Sequence, residues 1–143
     1  MDFQNVIPTD QQPETLRENK QELEFLQAIA RRLPEDTDVL RALADLYTRT
    51  GSYADGLRMD ERLSRLCAED PLVWYNLACS LALSDRADDA FDALNRAVEL
   101  GYNDYEWMKK DPDLAALHGD ARFESFLEWI YSAFEQTPDC DGL

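Results

Sequence analysis

Apolar positions recur at helical spacing along most of the chain. Leu16, Leu23, Leu26, Ala30 and Leu33 form one stripe with charges between them, which predicts an amphipathic helix over 14–33 that Pro34 stops. Leu40, Leu43, Ala44 and Tyr47 then precede Gly51, Tyr53, Gly56 and Leu63. Trp74, Leu77, Ala78 and Leu81 precede Asp85, Ala87, Ala90, Leu94 and Ala97. The two sets are one pattern shifted by 34 residues, pairing Leu40 with Trp74, Leu43 with Leu77, Tyr47 with Leu81, Gly56 with Ala90 and Leu63 with Ala97. Each unit predicts two amphipathic helices joined by a short turn, Arg49–Ser52 in the first and Ser84–Arg86 in the second. Further on, Gly101 is a helix terminator and Asn103 caps a short helix through Trp107. Asp111 caps another with Pro112 in its first position, and Asp120 caps a last helix striped by Phe123, Phe126, Leu127, Ile130 and Phe134.

The second unit resembles a tetratricopeptide repeat, matching that signature in order at Trp74, Leu77, Ala78, Leu81, Ala90, Leu94 and Ala97. The first unit matches at Leu40, Leu43, Ala44, Tyr47, Gly51 and Tyr53. It departs at Gly56, where Ala is usual, and at Asp60, where a large apolar residue is usual. The segment Asp111-Pro112-Asp113-Leu114, with Leu117, Asp120, Arg122, Phe123, Phe126 and Leu127, is similar to the extension that closes many small bacterial-type tetratricopeptide proteins. The resemblance implies an all-α fold: a right-handed α-solenoid of two helix pairs with N- and C-terminal capping helices. In it, Ala78, Ala90 and Ala97 let helix backbones approach, and Trp74, Leu77 and Leu81 fill the space between helices. Trp74→Ala is accordingly expected to cost about 3–5 kcal/mol. Two repeats fall short of the roughly three that bury a continuous core, so the flanking helices are expected to act as lids.

The expected organisation is a mobile arm over 1–12, an N-terminal capping helix over 13–36, repeat units over 37–70 and 71–102, a helical cap over 103–136 and a mobile tail over 137–143. In the repeat family the first helix of each pair lines a concave wall. That implies inward positions at Asp38, Arg41, Ala42, Asp45 and Arg49 in the first unit, and at Leu72, Tyr75, Asn76, Cys79 and Leu83 in the second. The helix from Leu72 to Leu83 is apolar nearly all round and must be covered on more than one face. Either its own flanking helices bury it, or Tyr75, Cys79 and Leu83 floor a groove for a peptide, rimmed by Arg41, Arg49 and Asn76. Some relatives clamp a terminal carboxylate with paired Asn residues; Asn76 matches one, but Ala42 stands where the other belongs. The arm's Phe3, Val6 and Ile7 are a candidate occupant of the groove.

Charge narrows the partner. Fourteen Lys and Arg face 30 Asp and Glu, a formal charge of −16, which repels nucleic acid and anionic membranes. Residues 103–143 hold nearly half of the excess. No secretory signal or apolar span is seen, and three unpaired-looking cysteines (Cys67, Cys79, Cys140) fit a reducing cytoplasm. Nothing assembles a catalytic or metal constellation. His118 is the single histidine and is expected in an exposed turn, no glycine-rich phosphate loop occurs, and Asp139-Cys140-Asp141-Gly142 resembles a calcium-loop fragment without its distal Glu. Asp88-Asp89 and Asp111-x-Asp113 read as helix-start residues. No cofactor is expected. The predicted function is a non-catalytic protein-binding scaffold or adaptor for another protein or peptide. A dedicated chaperone for a secreted or assembling client is the alternative, and a small-ligand regulator or enzyme is the alternative of another class. Trp129 and Tyr131 on the last helix could form a homodimer patch or simply sit at the surface.

Overall fold

The computed structural model describes residues 14–135, and every regular element among them is helical. The arm with Phe3, Val6 and Ile7, the tail over 137–143, Cys140 and the Asp139–Gly142 segment lie outside the described residues. The chain divides into two compact units, Met1–Ala68 and Glu69–Leu143.

The first unit contains α1 (Glu14–Arg32), α2 (Thr37–Arg49) and α3 (Tyr53–Leu66). Asp36 starts α2, its carboxylate accepting from the amides of Asp38 and Val39 at 3.1 Å, which satisfies two donors that have no intrahelical partner. Gly51 closes the α2–α3 turn with φ 84°, a left-handed conformation that favours glycine. Leu40, Leu43, Leu46, Leu57 and Leu63 are buried in this unit.

Gly56 lets α2 and α3 approach closely. A Cβ built there lies 3.0 Å from Thr48 Oγ1 and 3.5 Å from the Ala44 carbonyl. Gly56→Leu is therefore expected to destabilise the chain by about 1–3 kcal/mol through overpacking, read as a lowered urea midpoint. Asp60, the second departure from the repeat pattern, is buried on the same helix.

Helix α1 lies on α2, where Gln27 donates to the Tyr47 hydroxyl at 2.9 Å. Its apolar stripe is covered only in the middle: Leu23, Leu26 and Ala30 are half-buried, while Leu16 and Leu33 are each 52% exposed. Helix α1 has 19 residues (about 28 Å) and α2 has 13 (about 20 Å), so α2 cannot cover α1 along its full length, and Leu33 lies past the end of α1 in the turn into α2.

The second unit contains α4 (Pro71–Leu83), α5 (Ala87–Glu99), α6 (Tyr105–Lys110), a single 3₁₀ turn (Pro112–Leu114), α7 (Ala115–His118) and α8 (Ala121–Glu135). Helices α4 and α5 begin 34 residues after α2 and α3, and Asp85, at the turn position equivalent to Gly51, also has positive φ, 58°. Asp70 caps α4 by accepting from the Leu72 amide at 3.0 Å, and Pro71 opens the helix without wasting a hydrogen bond. Ala78, Ala90, Leu94 and Ala97 are fully buried. Trp74 is only half-buried, whereas Val73 beside it is buried. Truncation of Trp74 should therefore cost less than the fully buried range expected from the sequence.

The cap over 103–135 departs from expectation at its start. Asp104 rather than Asn103 caps α6, accepting from the Trp107 amide at 3.1 Å, and the helix continues to Lys110. Asn103 instead uses its backbone carbonyl, which accepts from the Tyr105 amide. Asp120 accepts from the Arg122 amide at 2.9 Å at the start of α8. Phe123, Phe126 and Ile130 are buried on α8, whereas Phe134 is largely exposed. No helix among the described residues is long and apolar enough to cross a membrane.

Candidate functional site

The apolar character of α4 is met by its own cap. The 3₁₀ turn and α7 both lie against it, and Tyr75 and Cys79, the residues assigned to a groove floor, are buried. The Tyr75 ring stacks on Tyr102 at 4.1 Å with 6° between planes. Its hydroxyl donates to Asp111 Oδ2 at 2.6 Å, and the Cys79 thiol donates to the same oxygen at 3.7 Å. Asp111 Oδ1 accepts from the Asp113 amide at 3.0 Å, capping the 3₁₀ turn. The groove-floor expectation for Tyr75 and Cys79 is thus corrected: a helix striped on every side leaves room for two neighbours, and residues 102–117 supply the second.

The network keeps its phenols and its thiol protonated. Burial pushes the Tyr75 phenol far above its ordinary range, with Cys79 and Asp111 adding to the effect. Burial first, and then the charge of Asp111, raises the Cys79 thiol. Tyr102 is pushed up to about 12, again mainly by burial. Asp113 is raised by burial and by neighbouring Asp111.

The sign for stability follows. The phenols and the thiol stay protonated in the fold at pH values where the unfolded chain ionises, so their contribution is complete below about pH 9 and is lost as pH rises beyond it. Thermal unfolding followed by circular dichroism should show a falling Tm between neutral pH and about pH 11. Tyr75→Phe should flatten the part of that fall that begins near pH 10.0, the ordinary value for tyrosine.

Among the described residues, Cys79, Asp111 and Asp113 bring donor atoms within 4.8 Å of one another and could hold a metal ion. Their chemistry does not favour one. Both Asp111 oxygens already accept hydrogen bonds, and Cys79 resists the deprotonation that a thiolate ligand requires. Zinc added to the reduced protein is expected to leave Tm unchanged.

The remaining expected wall positions have separate fates. On α4, Leu72 is 50% exposed, Asn76 is exposed and Leu83 is half-buried. On α2, Arg41 and Ala42 are half-buried and Asp38 is exposed. Asp45 and Arg49 are exposed and tied to each other in an ion pair of 2.8 Å. His118, expected in an exposed turn, is half-buried at the end of α7. Its Nε2–H donates to the Met108 carbonyl at 3.1 Å and its ring lies 4.9 Å from Phe123, because the cap folds α7 back over α6. Tyr131 also packs inward, 6.2 Å from Tyr105, with Lys109 over its ring.

An open groove of about 350 Å³ runs between α5 and α8. Phe91 and Phe126 form its floor, Trp129 one wall, and Asn95, Ser125 and Arg122 its edge. Trp129 is 48% exposed and lies 6.1 Å from Phe126. The Arg122 guanidinium sits 4.6 Å over the Phe91 ring and pairs with Asp88 at 2.6 Å and Asp120 at 2.8 Å. Of this groove the sequence signalled only Trp129, an aromatic residue off the buried stripe of α8.

Fold and site together define an all-helical protein with a repeated helix hairpin, a sealed polar network and an open apolar groove. No family model matches the chain, and no solved structure does. It is similar to a chloroplastic protein of Arabidopsis thaliana, with 28% identity over 91 residues that take in 62% of this chain and 27% of that protein. The similarity thus spans about a quarter of that relative's length.

Proposed function

We propose that the chain is a tetratricopeptide-type α-solenoid that works as a non-catalytic scaffold, holding a segment of another protein. The observation that carries this reading is the recurrence of one helix hairpin 34 residues on, with a left-handed turn residue at the same place in both copies. Repeats of that kind expose helix faces whose side chains are free to vary while the buried stripe is kept. The chemistry of the described residues supports a non-catalytic role. The phenol and the thiol best placed to react are buried and held neutral, and the histidine is committed to a backbone carbonyl. Exposed Leu72 and Asn76 on α4 and the charged row on α2 supply contact positions. The free thiols of Cys67 and Cys79 suit a reducing compartment.

An array of short overlapping peptides probed with the labelled full chain tests the reading. Capture of a set sharing one pattern of apolar and charged positions is the expected result, with capture reduced in Leu72→Glu. A blank array, together with a rise in Tm on adding a small metabolite, would instead make the protein a ligand-binding regulator.

A further inference from the structure

We propose that the groove between α5 and α8 is a docking site for a basic amphipathic segment of a partner protein, which seats an apolar side chain on Phe126 and Trp129 and directs Lys or Arg towards the carboxylates along the edge. This rests on the protein-binding reading above and adds to it a place and a partner chemistry. The apolar part comes from shape. Phe91 and Phe126 are themselves buried yet floor an open groove of about 350 Å³, with the half-exposed Trp129 ring as its wall. An aromatic residue on an open wall, beside a filled interior, is the usual anchor of a protein contact.

The basic part comes from charge. Helical spacing puts neighbours one turn apart on the same face. Asp88 lies one turn before Phe91, while Asp92 and Glu99 flank Asn95 by one turn on either side. On α8, Glu128 lies one turn after Ser125. All four acids are exposed; Asp88 is already paired with Arg122 and Glu99 with Arg96 at 3.4 Å, so Asp92 and Glu128 are the carboxylates that carry the attraction. Arg122, the cation at the groove's edge, is already neutralised by Asp88 and Asp120, and those two bonds raise its affinity for its proton further. Among the described residues no ion pair engages Asp92 or Glu128, and a cation approaching Trp129 also gains from the indole face. A second copy of the chain is a poor occupant, since it would bring a formal charge of −16 against this acidic edge.

The probes are two synthetic amphipathic peptides with the same leucine face, one carrying Lys and the other Glu on the polar face. Each is titrated into the full chain at physiological salt, followed by fluorescence anisotropy and by the Trp129 indole N–H resonance. The Lys peptide is expected to bind and shift that resonance, and the Glu peptide to do neither. Trp129→Ala leaves the net charge unchanged and should weaken the Lys peptide about tenfold or more. Asp92→Lys should weaken it comparably, with helicity retained in both variants.

Equal affinity for the two peptides, or affinity indifferent to Trp129→Ala, overturns the proposal. So does a dimer in sedimentation that Trp129→Ala converts to monomer, which would assign the groove to a second copy. Any of these results with capture on the peptide array intact removes this docking site and leaves the scaffold reading standing. A blank array removes the scaffold reading itself.

Discussion

Asp111→Ala is expected to lower unfolding free energy by about 3–5 kcal/mol, read as a drop in urea midpoint with an unchanged slope. Three losses combine. The 3₁₀ turn loses its cap, worth about 1 kcal/mol. The Tyr75 hydroxyl loses its carboxylate partner at 2.6 Å. The Cys79 thiol loses the same oxygen, and a buried polar group deprived of its partner costs about 1–3 kcal/mol. Asp111→Asn keeps a single acceptor oxygen, enough for the turn cap or for the phenol but not for both, so it should recover only part of the loss. Matching midpoints for wild type and Asp111→Ala would show that the network contributes nothing to holding the cap on α4.

Leu94→Ala should cost a comparable amount, about 2–5 kcal/mol. Leu94 is fully buried on α5, with fully buried Ala90 one turn before it and Ala97 one turn after. Those alanines bring the backbones close and leave Leu94 as the bulk in the interface. Its removal opens a cavity that such short neighbours cannot fill. Against a typical total of about 5–15 kcal/mol, either substitution removes a large share of the stability. Thermal and urea unfolding of purified Leu94→Ala measure the loss directly, and a change below about 1 kcal/mol would mean that the α4–α5 interface is not close-packed.

Periodicity and turn chemistry carried much of the hairpin geometry. The 34-residue offset located the starts of α2 and α4 and of α3 and α5, and the turns fell where Gly51 and Asp85 stand. Asp111 and Pro112 marked the start of a helix, which the structure gives as a 3₁₀ turn followed by α7. What local pattern could not supply was the identity of neighbours. Helical spacing says that α4 is apolar on every side, but the element covering Tyr75 and Cys79 is set by how a segment some thirty residues away folds back. The same limit hid the α5–α8 groove, which exists only where two helices distant in sequence meet. Asn103 and Asp104 are both competent caps, and backbone geometry one residue either way chose Asp104. A list of apolar positions also does not weigh relative helix length, which keeps α2 from covering the whole of α1.

Sealing Cys79 behind the Asp111 turn gives the molecule its own clock. An alkylating reagent meets this thiol only when residues 102–117 lift from α4, so at low reagent concentration the labelling rate reports the fraction of time the lid is open. The half-exposed Cys67 supplies the unprotected reference within the same chain.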